Sequence, residues 1–355
     1  MYPRVIVNLD HLRQNVRVVK ALCDQKNISI TGVTKVFRGD PRIARIFLEE
    51  GISMLGDSRV DNLKRMRDLP AEKWLIRPPM LSEAAAVARF ADAALHSEWE
   101  VIRAVAAEAY RMGRQHKVIL MADLGDIREG YVDPEELLRV AAQIESLPAA
   151  SLYGLGVNLT CFSFIQPDTE KMAQLAELAQ RAGQAAGHPV RIVSGGNSAT
   201  LDLMLRGGIP AGVNNLRLGE GLLFGRERAK YRYLPGTFQD VFTLEAEIVE
   251  LKEKPSLPWG QVGVDSYGNK PKFVDRGPRR LKAVCALGKQ DFDPETSWPE
   301  DPGILILGAS SDHLMLDVTD SSRRYQVGDR VRLRLGYFST MRAFTSDYVE
   351  KVYQE

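Results

Sequence analysis

Between Ile28 and about Gly225, short apolar runs alternate with longer stretches of helical periodicity. A parallel strand needs a crossover before the next one can pair with it, so this alternation reads as successive βα units around a parallel sheet. Eight apolar runs can be followed: Ile28 to Thr34, Ser53 to Gly56, Lys73 to Ile76, Ala91 to His96, Lys117 to Ala122, Ser151 to Val157, Arg191 to Val193 and Asn215 to Leu218. Helices are predicted over Pro41 to Glu50, Arg59 to Asp68, Ser82 to Arg89, Glu98 to Met112, Pro134 to Ser146, Asp168 to Ala186 and Ala199 to Arg206, several with Pro, Asp or Ser near the start as caps. The count predicts a (β/α)8 barrel over residues 10–235. A doubly wound open sheet is the alternative.

After Pro235 the texture changes to alternating strands, predicted over Phe242 to Leu251, Arg280 to Leu287, Ile304 to Leu307, Leu314 to Val318 and Tyr325 to Tyr337, with little helical period. Residues 236–355 are therefore expected to form a separate, mostly β domain. The opening run Arg4 to Asn8, within residues 1–9, is a candidate extra strand for it. A chain of 355 residues that is 45% hydrophobic and 26% charged has material for one large and one smaller core.

A net charge of +1 and a pI near 7.7 give no electrostatic reason to expect nucleic acid or a membrane surface as partner. No apolar run reaches the length of about 18 residues expected of a spanning helix. The start MYPRVIVNLDHL has no signal-peptide pattern, and Cys23, Cys161 and Cys285 are odd in number and far apart, so a cytoplasmic location is expected. The five histidines show no ligand spacing, and no structural metal is expected.

In a barrel the active site lies at the carboxyl ends of the strands. Lys35 ends the first run, and a lysine desolvated there becomes a nucleophile toward a carbonyl cofactor. Arg128 follows the fifth run in Asp123-Leu-Gly-Asp-Ile-Arg-Glu-Gly130, and Asn158 ends the sixth in Gly154-Leu-Gly-Val-Asn-Leu-Thr-Cys161. The seventh leads into Ser194-Gly-Gly-Asn-Ser-Ala199 and the eighth into Arg217-Leu-Gly-Glu-Gly221. Gly-rich turns after the last two strands are where barrels bind phosphate, and Ser198 can add a hydroxyl. An amine nucleophile and a phosphate cradle in one mouth suit pyridoxal 5'-phosphate.

Several segments carry a family resemblance: Val7-Asn-Leu-Asp-His-Leu-Arg-Gln-Asn15, Val33-Thr-Lys-Val36, Asn197-Ser-Ala199, Arg217-Leu-Gly219, Val264-Asp-Ser-Tyr-Gly268, Leu316-Asp-Val-Thr319 and Val327-Gly-Asp-Arg-Val331. In that order they resemble the alanine racemase-type, fold type III pyridoxal phosphate enzymes over nearly the whole chain. Gly32-Val-Thr-Lys-Val-Phe-Arg-Gly-Asp40, Asp123 to Gly130 and Leu218-Gly-Glu-Gly221 look closer to the ornithine racemase branch.

The resemblance implies an amino-acid racemase. Lys35 would hold the cofactor and act as one base, and Tyr267 would be the second base, placed in the neighbouring subunit's site, which implies a homodimer. Arg217 would donate to the pyridine nitrogen. Asn197, Ser198, Gly219 and Glu220 (the last two through backbone N-H) would surround the phosphate, with Tyr348 a further contributor, and Asn158 would stand beside the ring. Arg128 would lie near the substrate. Racemisation needs a proton removed on one face of a carbon and returned on the other, hence two bases.

Plainer readings stand beside these. Arg217 and Asn158 could cap strands, Tyr267 could be a hairpin residue, and Arg128 could pair with Asp123, Asp126 or Glu129. Two departures from the family pattern matter. Gly39 replaces a tyrosine four residues after the cofactor lysine, which removes a contact and leaves room, and Ser311-Asp312 replaces a methionine-aspartate pair at the substrate entrance. A smaller, more polar rim suits a substrate longer than alanine, with a terminal ammonium facing Asp312, Asp265 or Glu220. The expected substrate is thus ornithine or a similar basic amino acid. Alternatives are an alanine, serine or broad-specificity racemase, a fold type III decarboxylase, and a carrier that only stores the cofactor.

Overall fold

The computed structural model describes residues 2–264, 268 and 270–355. In chain order its elements are β1 (Arg4–Asn8), α1 (Leu9–Asp24), β2 (Ser29–Val33), α2 (Pro41–Glu49), β3 (Met54–Asp57), α3 (Val60–Arg65), β4 (Glu72–Leu75), α4 (Ala84–Phe90) and β5 (Ala93–His96). There follow α5 (Trp99–Arg111), β6 (His116–Ala122), α6 (Pro134–Ile144), β7 (Ala150–Val157), α7 (Thr169–Ala186), β8 (Ile192–Ser194), α8 (Thr200–Leu205), β9 (Asn215–Leu218) and α9 (Glu220–Phe224). The remainder is β10 (Phe242–Lys254), β11 (Arg280–Ala286), β12 (Ser297–Pro299), β13 (Leu305–Ala309), β14 (His313–Asp317), β15 (Arg330–Leu335), α10 (Tyr337–Thr345) and β16 (Glu350–Gln354). The chain divides into two compact units, Leu9–Gln239 and the residues up to Asn8 together with Asp240–Glu355.

In the larger unit β2 to β9 form a closed parallel barrel in sequence order. Closure runs through β2 and β9, which pair from Ser29↔Asn215 to Gly32↔Leu218, so the open-sheet alternative does not apply. Local chemistry starts the helices where the pattern expects them. Asp40 caps α2 by accepting from the Arg42 N-H with Pro41 at the first position, Asp133 and Pro134 do the same for α6, and Asp168 caps α7. The barrel interior is filled by Trp74, Leu95, Ile119, Met121 and Ile192. Alternation along β6 sends Val118 and Leu120 outward against Ile102 of α5, Leu137 of α6 and Leu175 of α7.

By the same alternation His96 and His116 face outward from β5 and β6, both fully buried. Their Nε2 atoms are 3.0 Å apart, the rings are edge to face, and neither Nδ1 has a partner among the described residues. Burial pushes the His116 imidazole down to about 4 and His96 well below the ordinary histidine value, so both are neutral at physiological pH.

In the smaller unit the strands run β12-β15-β10-β11-β14-β13, and β1 joins by pairing antiparallel to β10 and parallel to β16. Glu245 on β10 ties three strands together. It accepts from Arg4 Nε of β1 at 2.6 Å and from Arg332 Nε of β15 at 2.8 Å, matching the registers Arg4↔Glu245 and Glu245↔Arg332. The strand expected over Tyr325 to Tyr337 spans Arg330 to Leu335, and α10 follows directly. Gly336 breaks the strand and its carbonyl accepts from Thr340 N-H, while buried Ser339 bonds Ser297 Oγ at 2.6 Å and the Asp293 carbonyl.

Candidate active site

The mouth at the carboxyl ends of the barrel strands gathers most of the polar residues picked out from the sequence. Lys35 lies just past β2, at the start of a single 3-10 turn, Lys35–Phe37, and is half-buried. The preceding Thr34 is buried and its hydroxyl donates to Asp57 Oδ2 at 2.6 Å. Asp57, at the end of β3, also accepts from Asn62 Nδ2 and the Arg59 N-H, each at 2.9 Å. Burial nonetheless raises its carboxyl above the ordinary range, against the pull of these donors and of the Lys35 charge. This network seats the residue next to Lys35, and nothing in the sequence reading pointed to it.

The room expected at Gly39 is taken. Its φ is +60°, and a Cβ there would sit 2.8 Å from the Asn62 carbonyl oxygen and 2.9 Å from the Asn62 Cβ. Glycine is thus required by backbone conformation and by close approach together.

From β9, the strand next to β2, Arg217 points into the barrel and is 5% exposed. Its Nη1 donates to Ser194 Oγ at 2.7 Å and its Nη2 to the Val157 carbonyl at 2.8 Å, spanning β8 and β7. No carboxylate of the described residues comes within 4.0 Å of it. Burial lowers the guanidinium to about 10, so it stays protonated at neutral pH. Gly156 makes the space, since a Cβ there would meet Met121 Sδ at 3.0 Å and Arg217 Nη1 at 3.5 Å.

Asn158 lies beside it at the end of β7. Its amide reaches Asp126 at 3.4 Å, Asn197 Nδ2 at 3.3 Å and, with the amide turned over, Arg128 Nη2 at 3.1 Å. Asn197 also donates to the Leu159 carbonyl at 2.9 Å and to Cys161 Sγ at 3.5 Å, while its Oδ1 accepts from the Ala199 N-H. Ser198 Oγ accepts from the Gly221 N-H at 3.0 Å. Gly219 lies against the end of β2, where a Cβ would meet that of Val33 at 3.1 Å. Lys35, Asn158, Asn197, Ser198, Arg217, Gly219 and Glu220 thus occupy one end of one barrel.

The acids of the mouth are already engaged. Arg128 pairs with Glu129 through both Nε and Nη2; burial pulls its guanidinium down, but these bonds together with the neighbouring negative charges hold it above the ordinary arginine value. Asp123 instead accepts the backbone N-H groups of Gly125, Ile127 and Arg128. Asp126, 1% exposed, accepts from Cys161, Phe162 and Ser163 N-H. Glu220 pairs with Arg226, and its other oxygen lies 3.8 Å from Arg228 Nε.

Ser311, Asp312 and Tyr348 belong to the smaller unit. There Asp312 accepts from Ser311 Oγ and Gln290 Nε2, each at 2.6 Å, and Tyr348 is exposed. Tyr267 and Asp265 lie outside the described residues. Asp57 and Arg228 are the mouth residues that sequence reading passed over. Asp126 and Glu129 were named only as candidate partners of Arg128, and it is Glu129 that Arg128 pairs with.

The sequence profile of the alanine racemase N-terminal domain matches residues 7–227. The chain is 40% identical to an ornithine racemase of Acetoanaerobium sticklandii over 351 residues, which is 99% of each chain. It is also 40% identical to a lysine racemase of Thermotoga maritima over 356 residues, 100% of this chain and 99% of that one. Among solved structures, an alanine racemase from Streptomyces lavendulae superposes with a TM-score of 0.73 at 16% identity, covering 100% of this chain and 98% of that one, and shows the shared fold. The chain therefore belongs to the alanine racemase N-terminal domain family, as the barrel and the strand-rich second unit already indicated.

Proposed function

We propose that this chain is a pyridoxal 5'-phosphate-dependent racemase of basic amino acids, ornithine or lysine, acting as a homodimer with shared active sites. The substrate class is supported by two full-length relatives named for those two amino acids. The observation that carries the cofactor is Arg217: a buried guanidinium bonded only to neutral oxygens among the described residues calls for an electron-rich ligand atom. The rest of the donor set fits the same group, with an amine at Lys35 and, around Ser198, a cradle whose Gly221 has no space for a Cβ, which would come 2.8 Å from Leu201 Cδ1.

Bound in this mouth, pyridoxal phosphate supplies an electron sink that acidifies the substrate α-proton. Lys35 would hold the cofactor and move the proton on one face of the α-carbon. Tyr267 of the partner subunit would serve the other face. Arg217, which stays charged, would donate to the ring nitrogen and leave it unprotonated, restraining competing chemistry such as transamination. Asn158 would face the ring, and Asn197, Ser198, Gly219 and Glu220 would hold the phosphate, with Tyr348 as a further contributor.

Arg128, fixed by Glu129, meets the substrate. Ser311 and Asp312 line its entrance, and Asp312 keeps lone pairs for a distal ammonium beyond those given to Ser311 and Gln290. Glu220 is the weaker choice for that task, since Arg226 already neutralises it.

The test is α-proton exchange in deuterium oxide by the cofactor-loaded protein, with a panel of D- and L-ornithine, lysine, alanine and serine and chiral analysis of the products. Exchange with inversion for ornithine or lysine is the expected result. Exchange confined to alanine and serine discards the substrate class, and no exchange at all discards the racemase.

A further inference from the structure

A phosphate dianion is held most firmly where a cation faces it, yet the groups proposed for the cradle, Asn197, Ser198 and the backbone of Gly219 and Glu220, are all neutral. The Glu220 side chain even adds a negative charge, 7% exposed, to the same turn. Arg226 cancels that charge by hydrogen bonding to Glu220 Oε1. A second guanidinium, Arg228, stands beside the cradle and lies farther from Glu220 than Arg226 does.

Arg228 is anchored there by its backbone, whose N-H donates to the Ser198 carbonyl at 3.2 Å. Ser198 is the residue whose hydroxyl takes the Gly221 N-H. The Arg228 side chain, 29% exposed, makes long contacts to acidic atoms: Nε lies 3.8 Å from Glu220 Oε2 and Nη1 lies 3.8 Å from Cys161 Sγ, which in turn is 3.5 Å from Asn197 Nδ2. It also bonds the Tyr231 hydroxyl. The guanidinium is thus bracketed by Ser198 and Glu220 on one side and by Cys161 and Asn197 on the other. At Gly39, Asn62 fills the space and supplies no positive charge.

From this geometry we infer that Arg228 is the charged ligand of the cofactor phosphate, completing a cradle otherwise built from neutral donors. The inference rests on the cofactor proposed above. Its removal should weaken the phosphate contact and leave the bond at Lys35 and the ring contacts untouched.

The experiment titrates apoprotein with pyridoxal 5'-phosphate and, separately, with pyridoxal, which lacks the phosphate, following the absorbance of the Lys35-bound chromophore. Wild-type protein, Arg228→Gln and Arg228→Lys are compared. The expected result is that Arg228→Gln raises the Kd for pyridoxal phosphate about ten-fold or more, as for loss of a charge-assisted contact, and leaves that for pyridoxal within about two-fold. Arg228→Lys, which keeps the charge and loses the fork, falls between.

Equal weakening of both ligands, or of neither, overturns the inference. If Arg228→Gln does not fold, the comparison is read on Arg228→Lys, where an unchanged ratio of the two constants overturns it. Failure of the wild-type protein to bind either ligand at Lys35 sinks the cofactor reading itself and is thereby told apart from failure at Arg228.

Discussion

Four donors surround the Asp126 carboxylate, and three of them are consecutive backbone N-H groups of the loop after β7. The loop carries Thr160 at φ +69° and Phe164 at φ +59°, conformations that side-chain-bearing residues seldom adopt without such restraint. Asp126→Asn turns an amide NH2 toward those N-H groups, so the urea midpoint should fall, by the equivalent of about 2 kcal/mol. Cofactor affinity should weaken with it, because Asn158 and Asn197 lean on the same loop. Gly39→Tyr should cost about 2 kcal/mol or more instead of adding a contact, since it meets Asn62 and a positive φ together; thermal unfolding of apoprotein checks it. At Tyr267 the two-base reading predicts that Tyr267→Ala slows proton removal from one enantiomer about ten-fold more than from the other. Equal slowing in deuterium-exchange rates counts against two bases.

The eight barrel strands were legible in the sequence within about two residues at each end, because a buried parallel strand is a short apolar run and its crossover helix has a different period. The helix α1 is equally amphipathic, with Leu12, Val16, Val19 and Cys23 buried, but a reading that begins at the first strand passes over it. The helix Tyr337–Thr345 was not read from the sequence, because Tyr, Phe and Thr favour strands and the helix depends on Gly336 and the Ser339 network. In the site, residues at strand ends could be named beforehand: Lys35, Asn158 and Arg217. Asp57 and Arg228 could not, since their roles arise from neighbours distant in the chain. The His96 and His116 pair between β5, β6 and their helices gives a further prediction. Unfolded, each histidine takes a proton near 6.5; folded, His116 resists until about 4. The stability this pair provides is therefore complete above pH 6.5 and is lost as pH falls toward 4, by up to about 3 kcal/mol. His116→Leu should flatten the fall in unfolding temperature across that window.

For the molecule as a whole, shared active sites predict complementation. Lys35→Ala and Tyr267→Ala proteins, each inactive as a homodimer, should regain about a quarter of wild-type rate when unfolded together and refolded, since half the dimers are mixed and one site in each is intact. A mixture that stays inactive rules against a tyrosine supplied in trans. One more consequence follows from the pairing of β1 with β16. On the ribosome β2 to β9 are complete long before β16 is made, whereas β1 must wait, one edge open, until β16 emerges. Strands far apart in the chain are thus stitched into one sheet, and a product truncated ahead of β16 would carry an unpaired edge on β1.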